Sequence, residues 1–278
     1  MKLGVTGYGV VGKATADVMR RLGHVVVVHD VSPERLEEAA ARGFGPRPEA
    51  QNVDIDFVCV PEDHLEAALA RLPESSIVVI RSTVKPGTTD RLSEQFSRPC
   101  AYMPEFLREA TAQWDALNPS FVLIGARDRE QAAFLAGLFA PLMVQVVQVT
   151  PPVAEMVKLT LNAYLHTLIS FWNEVHLICE RLGLPSHLIG KLCAQDPRVP
   201  AYGATMHGDA VGGSCLPKDL AQLIAVANDL ECSPDLLSAV QLVNEKLLAQ
   251  PPRSSTPDGA IDAYADLITP AGVVHLRW

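Results

Sequence analysis

The chain has no apolar run reaching the ~18 residues that a membrane-spanning helix takes. Its start, Met1-Lys2-Leu3, passes straight into a strand-like segment rather than a signal peptide. Neither a membrane protein nor a secreted one is expected, and the cytoplasm is the expected compartment. Clustered Lys and Arg are missing too: the net charge is -9 and no basic stripe interrupts it. That argues against a nucleic-acid surface, because affinity for phosphates is built from such clusters. The cysteines, at positions 59, 100, 179, 193, 215 and 232, form no CxxC pair and have no close histidine companion. Neither a zinc site nor any other metal site is expected, nor a disulfide framework. No internal repeat is found.

What is present is a globular balance, with 48% hydrophobic and 20% charged residues over 278 positions, long enough for two domains. In the first part, short apolar runs read as strands: "LGVT", "HVVVVHD", "IDFVCV", "SIVVIRS", "FVLIG" and "VQVVQV". Between them Pro33 to Arg42 and Asp128 to Phe139 carry helical spacing, and Ser32-Pro33 is a good helix start. This alternation predicts an α/β fold: a Rossmann-type, doubly wound parallel sheet over residues 1–150. After "TPPV" the strands stop. A helix of about 28 residues from Ala154 to Leu182 is expected, followed by shorter ones near 186–195, 218–229 and 234–249. Residues 151–250 thus read as an all-α domain built on one long central helix, which is expected to make the subunit contact of a homodimer. Residues 251–278 read as a short tail after a Pro/Ser-rich break.

"GVTGYGVVGKATADVMRRLG" sets Gly7-x-Gly9-x-x-Gly12 between a strand and a helix. The glycines allow a tight turn and close backbone approach, and the helix N-terminus offers N–H groups to a pyrophosphate. Asp30 closes the next strand 23 residues after Gly7, where a carboxylate can bind the ribose hydroxyls. An acid there repels a 2'-phosphate, so NAD is expected rather than NADP. The residues expected to contact it are Gly7, Tyr8, Gly9, Val10, Val11, Gly12, Asp30, Ser82, Thr83 and Lys218.

Four further stretches stand out: "RSTVKPGTT" at 81–89, "YMPEFLREATAQWD" at 102–115, "EMVKLTLNAYLHTLISFWNE" at 155–174 and "GGSCLPKD" at 212–219. Taken together, residues 1 to about 250 resemble the UDP-glucose/GDP-mannose dehydrogenase family, whose members oxidise the primary alcohol of a nucleotide sugar to the carboxylate. The chemistry needs two hydride transfers, and an aldehyde is a poor hydride donor until something adds to its carbonyl. A cysteine thiolate can do so, giving a thiohemiacetal, then a thioester that water cleaves. A free thiol, with a pKa of about 8.5, is only slightly ionised near neutrality. A cation or a helix N-terminus beside Cys215 would help, and Lys218 and a helix starting near Pro217 are the expected neighbours. The other five cysteines are read as core or surface thiols.

Lys158 and Asn162 lie four apart on the long helix and share a face. The resemblance implies that they hold the oxygen on which charge develops. It also places Asp219 and Thr83 where the catalytic water is oriented, and Glu105 and Glu109 in the Pro-Glu-Phe loop. Glu105 is the first choice of base for thioester hydrolysis and Asp219 the alternative. Asn173 is expected to be a structural helix contact.

The resemblance has two gaps. Full-length members continue into a second Rossmann-like domain that grips the nucleotide, whereas "AQPPRSSTPDGAIDAYADLITPAGVVHLRW" is too short for one. Before the cysteine, "HGDAVGGSC" has Val211 where the family carries an aromatic residue, and Asp209 adds negative charge. The expected substrate is therefore a sugar, nucleotide sugar or nucleoside. Two alternatives are a two-electron dehydrogenase of the beta-hydroxyacid type, and an NAD-binding subunit that is non-catalytic or completed by another chain.

Overall fold

Strands buried on both faces read as continuous apolar runs, and the runs seen in the sequence become the strands of one sheet. The computed structural model describes residues 1–46, 52–73, 77–213 and 215–249, so the expected tail at 251–278 lies outside the described residues. The chain divides into two compact units, the first ending at Lys158 and the second beginning at Leu159. In the first unit the strands are β1 (Lys2–Thr6), β2 (Val25–His29), β3 (Gly45–Pro46), β4 (Ile55–Val58), β5 (Ile77–Ile80), β6 (Cys100–Tyr102), β7 (Val122–Gly125) and β8 (Val146–Val149). Their order is β3-β2-β1-β4-β5-β6-β7-β8. Every pairing is parallel except β6 with β7, which meet antiparallel at Tyr102 and Gly125. The sheet is therefore mostly parallel rather than wholly so. β3 and β6 were not expected, because two and three residues are too short to show a period.

Helices α1 (Val10–Arg21), α2 (Pro33–Ala41), α3 (Leu65–Leu69), α4 (Thr88–Gln95), α5 (Ala112–Leu117) and α6 (Arg129–Leu138) accompany the strands. Period-two alternation sends successive strand residues to opposite faces. Val79 joins an apolar cluster with Leu3, Val5, Phe57 and Ile124, while Val78 and Ile80 join another with Val58, Leu65 and Leu92. Ser32 caps α2, its hydroxyl accepting the Arg35 N–H, and Pro33 stands in the first turn, where a missing N–H has no consequence.

The long helix α7 runs from Pro151 to Leu182, three residues earlier than expected, because both prolines are accommodated in its first turn. The second unit continues with α8 (Ser186–Cys193), the short α9 (Ala201–Ala204), α10 (Cys215–Asp229) and α11 (Asp235–Leu248). Leu159 and Ala163 of α7 share an apolar cluster with Leu220 and Leu223 of α10 and Val240 of α11. Among the described residues no helix is long and apolar enough to cross a membrane.

Candidate functional site

The sheet order reverses at β1, whose neighbours are β2 and β4, and ligands of such sheets bind beyond the strand ends at that reversal. Gly7 follows β1 there with φ 91°, and a Cβ on it would come within 2.7 Å of the Cys59 carbonyl beyond β4. A Cβ on Gly12 would fall 1.9 Å from the Gly7 carbonyl, so this glycine lets α1 seat against the turn. Gly9 differs, since a Cβ there would meet nothing within 4 Å. Its lack of a side chain serves no packing among the described residues and keeps the start of α1, which has no side-chain cap, open to an anion.

Asp30 is buried and accepts the main-chain N–H of Tyr8 at 2.6 Å and of Ser32 at 2.9 Å, with Arg35 at 3.4 Å. Burial opposes its charge, but these donors outweigh it and hold the carboxyl below its ordinary pKa. A carboxylate has about four acceptor positions, so room remains for ribose hydroxyls. The turn, the open helix end and this anion together suit a dinucleotide. Tyr8 contributes its main chain only: its ring is fully buried against Phe44, and its hydroxyl meets Arg42. Val10 is exposed, Val11 and Thr83 are half-buried, and Ser82 is buried with its hydroxyl donating to the Val60 carbonyl.

In the same unit Lys158 is 3% exposed, and its Nζ donates to Glu105 Oε1 at 2.9 Å and to the Glu105 carbonyl at 2.8 Å. The second oxygen of Glu105 accepts the Leu107 N–H at 2.7 Å. The expected base and the expected oxyanion-binding lysine are thus an ion pair. The loop beyond is closed by Arg108 on Asp115, with contacts of 2.6 and 3.0 Å, which hold the Asp115 carboxyl well below the usual carboxylate range. Glu109 stands exposed in that loop. Glu155, one helical turn before Lys158, is wholly buried. It accepts the Gly87 N–H at 2.6 Å, the Thr89 N–H at 2.8 Å and the Thr89 hydroxyl at 2.6 Å, and so caps α4, which has no cap of its own. Burial nevertheless raises its pKa.

In the second unit Cys215 is the first residue of α10 and is exposed. Asp219, one turn on, is buried and accepts from Asn162 Nδ2 at 2.6 Å through Oδ2 and from Lys218 Nζ at 2.6 Å through Oδ1. Three of the expected residues therefore form one chain of polar contacts. The segment leading to Cys215 is held by two amides. Asn173 accepts the Gly208 N–H at 2.8 Å and donates to the Asp209 carbonyl at 2.9 Å. Asn244 accepts the Val211 N–H at 2.7 Å and donates to its carbonyl at 3.1 Å. Asn173 is thus the structural contact expected of it. Asn244 was missed, although a buried polar residue within an apolar helical pattern is a usable signal.

Among the other cysteines, burial pushes the Cys59 thiol up to about 11 and raises that of Cys100 as well. Among the described residues, no group of three or more His, Cys, Asp or Glu side chains is placed to hold a metal ion.

Family models described as the NAD binding domain and the central domain of the UDP-glucose/GDP-mannose dehydrogenase family match residues 45–143 and 152–246. A UDP-glucose 6-dehydrogenase of Haloferax volcanii is 31% identical over 304 residues, which cover 88% of this chain and 70% of that protein. The chain belongs to the UDP-glucose/GDP-mannose dehydrogenase family. A UDP-glucose 6-dehydrogenase of Bacillus subtilis is 30% identical, and the match covers 88% of this chain but only 66% of that protein. A solved UDP-glucose dehydrogenase of Pyrobaculum islandicum superposes with a TM-score of 0.81 at 29% identity, covering 88% of this chain and 68% of that one. A model described as NADP oxidoreductase coenzyme F420-dependent also matches residues 2–84, the part that holds the glycine turn. At 16% identity and a TM-score of 0.73, a 3-hydroxyisobutyrate dehydrogenase of Mycobacterium tuberculosis shares the fold alone. The NAD binding domain match and the dehydrogenase relatives indicate NAD as the cofactor.

Proposed function

We propose that this protein oxidises the primary alcohol of a nucleotide sugar to the carboxylate, with Cys215 as the covalent nucleophile. The observation that carries the reading is an exposed cysteine opening α10, one turn before a buried Asp219 that is bonded to both Asn162 and Lys218. NAD supplies the hydride acceptor for each of the two oxidations. The thiolate of Cys215 adds to the aldehyde carbon, and Lys158 and Asn162 would stabilise the negative charge that the carbonyl oxygen gains. After the second oxidation the acyl group is held as a thioester on Cys215. A water molecule then attacks, its proton passing to Glu105 or Asp219, and the thiolate leaves.

The subunit contact follows from α7. Tyr164, Phe171 and Ile178, spaced by seven residues along it, are 52, 57 and 60% exposed. Three large apolar side chains on one helix stripe favour burial against a second copy, which supports a homodimer through this helix.

The test is the NADH formed per molecule of UDP-glucose consumed, with the sugar limiting and NAD in excess. Two NADH support the four-electron route. One NADH, with Cys215→Ala as active as the parent, would overturn it in favour of two-electron chemistry.

A further inference from the structure

Along α7 the residues four apart from Lys158 are Asn162, His166 and Ser170, and they are 3, 6, 1 and 2% exposed in that order. Lys158 and Asn162 have the partners described above. His166 does not: among the described residues neither of its ring nitrogens has a hydrogen-bond partner, and the Ser170 hydroxyl has none either. A neutral imidazole carries one N–H and one lone pair, so this ring brings a donor and an acceptor out of water and leaves both unmatched. Burial of that kind works against folding, and an apolar side chain of similar size would avoid it.

The packing shows where the ring stands. Leu159, Ala163, Leu220 and Leu223 share one apolar cluster, and Asn162 bonds to Asp219. One turn further along α7, the ring of His166 faces the main chain of Leu216, and because that contact favours the protonated ring the group facing it is the Leu216 carbonyl. The two helices therefore run antiparallel in this stretch. Asn162 is level with Asp219, and His166 is level with the first turn of α10, where Leu216 directly follows Cys215.

We propose that His166 is a positioning residue for Cys215: its ring exchanges a hydrogen bond with the first turn of α10 and so sets where the thiol stands during attack and acyl release. A shift of a few tenths of an ångström separates near contact from a hydrogen bond, so the same ring can follow the turn as the sulfur changes from thiol to acyl carrier. The inference rests on Cys215 being the nucleophile. It assigns His166 no contact with the substrate.

The experiment compares the parent with His166→Leu and His166→Gln. It measures Tm, kcat and KM, and the iodoacetamide alkylation rate of Cys215 without NAD or substrate, read by peptide mass. The exposed Cys193 and Cys232 serve as internal standards. A residue kept for stability would lower Tm when replaced. Here His166→Leu should leave Tm equal or higher, change the Cys215 rate at least about threefold relative to the standards, and lower kcat about tenfold with KM for NAD nearly unchanged. His166→Gln, which keeps a donor and an acceptor, should recover part of kcat and also serves if the leucine variant does not fold. An alkylation rate and kcat unchanged in both variants, or a lower Tm with unchanged alkylation, would overturn the positioning role. Full turnover by Cys215→Ala would instead overturn the nucleophile reading, and the alkylation result would still stand by itself.

Discussion

Replacing Gly9 and Gly12 separately by alanine distinguishes a glycine kept for the fold from one kept for a ligand. At Gly12 the new methyl would stand 1.9 Å from the Gly7 carbonyl oxygen, whereas real Cβ contacts essentially never fall under 3.0 Å. The turn or α1 would have to move by at least about 1 Å, and overpacking against main chain costs roughly 3 kcal/mol or more. For a unit of this size that lowers Tm by about 6–12 °C. Gly9 has φ -78° and ψ -161°, which any residue adopts, and a methyl there meets nothing within 4 Å. Losing a glycine at a helix start and gaining a stiffer unfolded chain nearly cancel, so Gly9→Ala should change stability by less than about 1 kcal/mol. The same methyl would stand where a diphosphate must approach the main chain, so NAD affinity should fall at least tenfold, about 1.4 kcal/mol. Thermal melting and calorimetric NAD titration of the two variants check both halves. Unaltered NAD affinity in Gly9→Ala would refute the placement of the pyrophosphate at this turn, and an unaltered Tm in Gly12→Ala would refute the packing argument.

Cys215→Ala should bind NAD as the parent does and yet form no carboxylate from the alcohol, which product analysis by mass spectrometry checks. Glu155→Ala would leave two N–H groups and a hydroxyl buried at the start of α4 without an acceptor, a loss of about 3 kcal/mol in denaturant titration. Burial first, then the neighbouring His187 and His176, lower the pKa of His207 from 6.5, and burial lowers that of His166. The unfolded chain therefore takes up protons that these folded rings resist, and stability should be fully present above about pH 6.5 and fall as the solution is acidified below it. His207→Gln should flatten that slope; a parent Tm that rises between pH 6.5 and 5.5 would contradict the sign. Phe171→Glu should leave the far-UV spectrum intact and halve the mass seen by light scattering, and a parent already monomeric would exclude the helix-mediated dimer.

Much of the candidate site was legible because its signals are local. The Gly7–Gly12 turn, Asp30 at the end of β2, Lys158 and Asn162 one turn apart, and Cys215 at a helix start each lie within a few residues of the strand or helix that positions them. Short range also explains the errors: β3 and β6 carry too few residues to show a period.

The sequence by itself determined the dinucleotide turn, the alternation that builds a mostly parallel sheet, and the long helix with its polar row. Those follow from steric freedom at glycine and from periodicity, which neighbouring residues decide among themselves. Only the tertiary structure decided that Glu155 caps a helix 66 residues away, that Asp219 meets Asn162 across 57 positions, and that Asn244 clamps the approach to Cys215. It alone buried His166 beside the Leu216 main chain, with no side-chain hydrogen-bond partner for its ring among the described residues. Each of these depends on the register in which one element packs on another, a product of the whole core that no single stretch of chain encodes.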